Sequence, residues 1–338
     1  MNPIKAALSA TALIALTAPA FAQEVNVYSS RHYDSDESLY AAFTEETGIT
    51  VNRIEAKADE LMARMEAEGV NSPADVFMTT DVGRIARAEE KGLLQPFDSG
   101  VIATNVPAHL RDDENLWTGL SQRARIIFYS KDRVENPPRT YEELADPKWQ
   151  GKVCIRSSSN VYNQSLLASI IEADGADAAK AWAEGIVANM ARAPQGGDTD
   201  QLRGIVSGEC DIAVANTYYF ARGLASDVDG LTESIDSIGW VWPNQSGRGA
   251  HVNLAAAGIA ANAPNKDEAT ALLEYLVSED AQEKFANSNN EYPVRSGVPI
   301  GEHVATMGLF IPDNDTPTSA FKEHAATAQT IFNEAGWD

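Results

Sequence analysis

The chain has 338 residues, 44% hydrophobic and 22% charged, and its 26 basic against 49 acidic residues give a formal charge of −23. That excess of acid leaves no surplus of cations to displace phosphate counterions. It argues against a nucleic-acid partner or an anionic membrane surface and suits a cationic or neutral ligand. Aliphatic and aromatic residues recur throughout, which argues against disorder, and about 150 residues per domain predicts roughly two domains.

Residues 1–22 read as an export signal. Lys5 supplies a positive start, Ala6 to Leu16 an apolar stretch too short for a membrane anchor, and Ala20-Phe21-Ala22 a small-x-small cleavage site before Gln23. No Cys follows that site to carry a lipid, so the expected address is a bacterial periplasm. From Gln23 the pattern alternates β and α. Val25 and Val27 mark a strand, followed by the turn Ser29-Ser30-Arg31-His32-Tyr33. Asp34 with Glu37 resembles a capping box for a helix that carries Leu39, Tyr40 and Phe43 and stops near Gly48. Ile49, Val51 and Ile54 predict a strand, Leu61, Met62 and Met65 a helix ending before Gly69, and residues 74–78 a buried strand. Val82 to Lys91 predicts a helix ended by Gly92. Such alternation implies a largely parallel sheet with helices on both faces.

A strand is expected over Ala124 to Tyr129, then a Pro-rich break at Asn136-Pro137-Pro138-Arg139. A second βα series runs from Lys152 through Val214, and strand signals interrupted by Gly cover Gly239 to Ala261. Helices are expected over Lys266 to Val277, Glu279 to Ala286 and Thr318 to Ala335. Two α/β lobes joined by strand-like crossings, with no obvious linker, describe a hinged clamshell. Cys154 and Cys210 each open a short apolar strand. In an oxidising compartment they are a candidate disulfide, the alternative being two buried free thiols.

Enzyme signatures are largely missing. There is no His-Glu-x-x-His, Gly-x-Ser-x-Gly, P-loop or Gly-x-Gly-x-x-Gly, and the five histidines are scattered. Tyrosines, by contrast, fall at predicted strand-to-helix junctions: Tyr33 after the first strand, Tyr162 before a helix, and Tyr218-Tyr219 after the strand from Cys210. In open α/β sheets ligands bind at the carboxyl ends of strands, so these side chains are candidates to face one crevice. By residue type alone, packing with a hydrogen-bonded hydroxyl is the more ordinary role of a tyrosine pair.

The chain resembles the ferric-iron periplasmic binding proteins of ABC transporters, within the family 1 extracellular solute-binding proteins. The resemblance rests on Val25 to Tyr33 (VNVYSSRHY), Ala74 to Phe77 (ADVF), Gly92-Leu93-Leu94, Arg123 to Ile126 (RARI), Pro147 to Val153 (PKWQGKV) and Asn216 to Tyr219 (NTYY). It implies a two-lobed α/β clamshell of the type II periplasmic-binding class, each lobe a mixed, mostly parallel sheet flanked by helices. The implied lobes are 23–122 with about 246–300, and 123–245 with about 301–338, hinged near 123–130 and 240–250.

By resemblance to the tyrosine-rich iron branch, Tyr33, Tyr162, Tyr218 and Tyr219 are the expected metal ligands. His32 corresponds to a ligand in some members and a bystander in others. Arg123 and Arg222 match basic residues that line the pocket. Some relatives complete the iron shell with an anion, which Ser157, Ser158 and Asn160 could receive. The cargo implied is Fe(III), a hard cation that prefers anionic oxygen donors. The implied partner is an ABC-type permease in the inner membrane, served by a monomer without bond-making chemistry. The competing readings are a binding protein for another cation, such as a polyamine, zinc or manganese, and a periplasmic transferase or hydrolase on the same architecture.

Overall fold

The computed structural model describes residues 23–31, 33 and 35–338. The expected export signal, Met1 to Ala22, lies outside the described residues, as do His32 and Asp34. The first series comprises β1 (Glu24–Ser29), α1 (Asp36–Thr47), β2 (Thr50–Glu55), α2 (Ala58–Glu68), β3 (Val76–Thr79), α3 (Val82–Glu90), β4 (Leu94–Gln95) and α4 (Gly100–Asn105). Helix α1 ends at Gly48, whose φ of 76° is open to glycine without the clash a Cβ would bring. Leu39 and Phe43 of α1, Leu61 and Met65 of α2 and Ile85 of α3 are spaced to one helical face, and they pack on Val25, Val27 and Phe77 in a single core.

β5 (Thr118–Ser130) then carries the chain into a second lobe. That lobe contains β6 (Val153–Cys154), α5 (Val161–Asp174), α6 (Ala176–Asn189), α7 (Asp198–Ser207), β7 (Ile212–Asn216), α8 (Thr217–Ala225) and β8 (Ile238–Val241). β9 (Val252–Ala260) returns to the first lobe, followed by α9 (Lys266–Leu276), α10 (Glu279–Ser288) and β10 (Tyr292–Pro293). The chain closes through α11 (Glu302–Ala305), α12 (Ala320–Glu323) and α13 (Ala325–Ala335).

The strands run in the order β2-β1-β3-β9-β5-β7-β6, with β4 added to β9 and both β8 and β10 to β5. The sheet is mixed, but the expectation of mostly parallel pairing is corrected. Among the described residues, the strand pairs β1–β2, β1–β3 and β6–β7 are parallel, whereas each pairing made by β5 or β9 is antiparallel. The long strands run back and forth between lobes, and strand direction has no local sequence signal.

β5 is the shared element. Thr118 to Ala124 pair with β9, and from Arg125 onward the partners are β7 and β8. Its side chains alternate between two cores. Ile127 joins Leu166, Ile170, Trp182 and Phe332 on one face, while Ile126 and Phe128 join Leu202, Ile205 and Phe220 on the other. The helix expected over Thr318 to Ala335 is broken at His324 into α12 and α13. Helix α12 packs on both α3 and α5, and its Phe321 enters the first-lobe core, whereas Phe332 of α13 enters the second.

Cys154 and Cys210 form a disulfide with Cα atoms 5.8 Å apart. It ties the end of β6 to the turn before β7. Helix α7 approaches so closely that a Cβ on Gly204 would lie 2.8 Å from the Cys210 Sγ and 3.1 Å from the Cys154 Sγ.

Candidate metal centre

The four junction tyrosines meet. Tyr33 leaves the carboxyl end of β1 in a loop closed by a bidentate pair: the Arg31 guanidinium donates to both carboxylate oxygens of Asp36, at 2.9 and 3.2 Å. Tyr162 stands in the first turn of α5, where the Asn160 side chain caps the helix by accepting from the Tyr162 N–H at 3.1 Å. Tyr218 and Tyr219 open α8 directly after β7. Asp198 fixes that junction, since its carboxylate accepts from the Asn216 N–H at 2.8 Å and from the Arg125 guanidinium at 3.0 Å.

The Tyr162 and Tyr218 hydroxyls are 3.3 Å apart, within reach of a hydrogen bond in either direction. The Tyr218 and Tyr219 rings stack with centroids 4.2 Å apart, and Tyr33 meets Tyr218 edge to face at 6.5 Å. Tyr33 comes from the first lobe and the other three from the second, so the crevice is shut at this point. Tyr218 is buried; Tyr33, Tyr162 and Tyr219 are half-buried.

Guanidinium groups surround the phenols. Arg31 lies 4.7 Å from the Tyr33 ring centre, Arg123 5.8 Å from that of Tyr218, Arg125 and Arg156 5.9 and 5.6 Å from that of Tyr162, and Arg222 5.2 Å from that of Tyr219. Of the two arginines expected from sequence, Arg123 is buried and donates to the Thr80 carbonyl at 2.6 Å. Arg222 is exposed and bonds Thr199 at 3.0 Å, so it touches the cluster from the solvent side. Arg31, Arg125, Arg156 and the buried Glu291 escaped the sequence reading. Arg31 and Arg125 stood inside the quoted motifs, but Glu291 follows α10 with no local pattern to mark it.

The expected anion-receiving residues, Ser157, Ser158 and Asn160, stand in the loop before α5. Ser157 and Ser159 hydroxyls pair at 2.9 Å, the Ser158 N–H donates to the Asp338 carbonyl at 3.1 Å, and Asn160 is the helix cap already described. His32 lies outside the described residues.

Burial, first of all, raises the pKa of Tyr33, Tyr218 and Tyr219 above the ordinary phenol value of about 10. Glu291 adds to the rise at Tyr33, the neighbouring tyrosines add to it at Tyr218, and Tyr162 and Asp198 add to it at Tyr219; arginines oppose it at all three. These three phenols are therefore neutral at pH 7 unless a cation enters among them. The two carboxylates that act on the phenols, Glu291 and Asp198, are already engaged by arginines. What the cluster offers a ligand is phenolic oxygen, a donor set suited to a small, highly charged, hard cation rather than to an organic amine.

The fold and this site define a two-lobed solute receptor. The chain matches the bacterial extracellular solute-binding proteins over residues 71–306 and belongs to that family. Iron uptake protein A1 of Synechocystis sp. is 51% identical over 320 residues, covering 94% of this chain and 89% of that protein. Among solved structures, the Trichodesmium protein IdiA (FutA) in complex with iron and citrate ligands superposes with a TM-score of 0.89 at 49% identity, covering 93% of this chain and 100% of that one. The ferric binding protein from Campylobacter jejuni superposes with a TM-score of 0.88 at 39% identity, covering 93% and 100%.

Proposed function

We propose that the protein captures Fe(III) in the periplasm through the phenolates of Tyr33, Tyr162, Tyr218 and Tyr219 and delivers it to an ABC-type permease in the inner membrane. The meeting of four tyrosines from two lobes, with the Tyr162 and Tyr218 hydroxyls 3.3 Å apart, is the observation that carries this reading. Its similarity to proteins of iron uptake and ferric binding supports it.

A trivalent ion supplies the field that strips the phenolic protons, so binding replaces four O–H bonds with four Fe–O bonds and releases the protons to water. Four phenolates around Fe(III) leave one net negative charge. Anionic oxygen donors stabilise the ferric over the ferrous state, because the extra charge of the oxidised ion is what they neutralise. No bond of the cargo is made or broken beyond ligand exchange, and the protein acts as a carrier rather than an enzyme.

Lobes 23–122 with about 246–300, and 123–245 with about 301–338, close about the strands near 123–130 and 240–250. Closure is driven by the cargo, which is held more tightly when Tyr33 joins the other three. His32 is carried as a further candidate donor.

Competition dialysis against citrate tests the donor set. The double variant Tyr218→Phe/Tyr219→Phe keeps the ring volumes and is expected to lose at least 100-fold in ferric affinity, while melting within a few degrees of the parent. Unchanged affinity would return these tyrosines to packing.

A further inference from the structure

A carboxylate that touches none of the phenols sits behind them. Glu291 is fully buried and follows Asn290, whose φ of 56° turns the chain inward in a conformation Asn tolerates better than most residues. Glu291 is ion-paired to Arg123 and lies 3.7 Å from Arg31, and it accepts from the Ser121 hydroxyl at 2.5 Å. Burial alone raises the pKa of its carboxyl, but Arg123 and Arg31 outweigh that and hold it below the usual carboxylate value. One carboxylate thus grips the guanidinium that faces Tyr33 from the first lobe and the one that faces Tyr218 of the second.

The charges can be counted. Arg31 and Arg123 are balanced by Asp36 and Glu291, all buried. Arg125 and Arg156 share the single carboxylate of Asp198 and leave one positive charge. That excess, with the exposed Arg222 beyond it, opposes the net negative charge of Fe(III) held by four phenolates. Take away Glu291 and the surroundings gain one more positive charge, which lowers the worth of the third charge on iron.

We infer that Glu291 is a positioning residue that sets the charge around the bound iron and thereby the preference for Fe(III) over Fe(II). The inference rests on the iron reading above. Glu291 acts through Arg31 and Arg123, holding each guanidinium beside its tyrosine while cancelling their joint excess. Nothing in its role requires contact with the cargo.

The test is the reduction potential of the iron-loaded protein, read by spectroelectrochemical titration, with loading checked by metal analysis. Glu291→Gln keeps the shape and removes the charge. It is expected to weaken the preference for Fe(III) over Fe(II) at least tenfold, moving the midpoint upward by about 59 mV or more for one electron. Arg123→Gln leaves Glu291 in excess and is expected to move the midpoint in the opposite direction. The double variant Glu291→Gln/Arg123→Gln leaves the Arg31–Asp36 pair intact and restores neutrality, so its midpoint should return towards that of the parent. If Glu291→Gln does not fold, Arg123→Gln and the double variant still decide the matter, because the first should fall below the parent and the second should return to it. Potentials that all agree, or that move in one direction whatever the charge removed, would overturn the inference and give Glu291 a purely structural place. Failure of the parent protein to take up iron would instead overturn the reading on which it rests.

Discussion

At the scale of single residues, the decisive groups are phenols that stay protonated until a cation arrives. Tyr33, Tyr218 and Tyr219 have raised pKa values in the iron-free protein, burial being the chief cause. Loading at pH 7 should therefore release protons from groups that were neutral beforehand. Once the protons exchanged by the iron donor are subtracted, a pH-stat titration is expected to show three to four per iron; fewer than two would mean that most of these phenols are not donors. The same linkage predicts weaker binding as pH falls, because each proton that must be removed competes with the ion. In the iron-free protein the shift has a second consequence. An unfolded tyrosine ionises near 10 while these three do not, so the stability they confer is intact below that pH and is lost as pH rises through their higher folded values. Urea melts at pH 8 and pH 11 measure this, and a smaller loss in a Tyr218→Phe variant identifies the source. The tyrosines stood out in the sequence at strand-to-helix junctions, but it was the resemblance to the iron-binding branch, not their placement, that read them as ligands. Glu291 did not stand out, because its meaning comes from two arginines more than a hundred residues away.

At the scale of elements, β5 joins the lobes and the disulfide braces the second. The sequence suggested a strand only over Ala124 to Tyr129, the part rich in Ile and aromatic residues, whereas β5 begins at Thr118. The earlier half, Thr118 to Arg123, is small or polar apart from Leu120 and acquires strand structure from pairing with β9, which no local pattern reports. The break at His324 was hidden for the same kind of reason. A helical pattern runs across it, and the two halves part because Phe321 and Phe332 enter different cores. The Cys154–Cys210 bridge closes a loop of 56 residues. By the loop-entropy relation this restrains the unfolded chain by about 4 kcal/mol, so replacing both cysteines with Ala is expected to cost about 2–4 kcal/mol in denaturant unfolding. Iron affinity should change little, because the bridge lies behind β7 rather than among the phenols; an unaltered midpoint of unfolding would contradict this role. Asp198→Ala is expected to be harsher, about 3–5 kcal/mol, since it strands the buried Arg125 and frees the backbone that leads into Tyr218.

For the molecule as a whole, the arrangement described is the shut one, with Tyr33 and Tyr218 in contact across the lobes. The two-lobed α/β plan was legible because strand and helix periods alternate cleanly on both sides of β5. The direction of the crossing strands was not, since β5 and β9 are buried along almost their whole length and lack the alternation that marks an antiparallel strand with one wet face. If iron drives closure, small-angle scattering should give a smaller radius of gyration for the loaded than for the iron-free protein, a difference absent from Tyr218→Phe/Tyr219→Phe. Equal radii in the parent would place the cargo in a receptor that does not move.

The most direct measurement is visible absorption during titration with ferric citrate. Bound Fe(III) held by phenolates should develop a phenolate-to-iron charge-transfer band that saturates at one iron per chain and disappears on reduction. A solution that stays colourless, with no iron retained after gel filtration, would contradict the account.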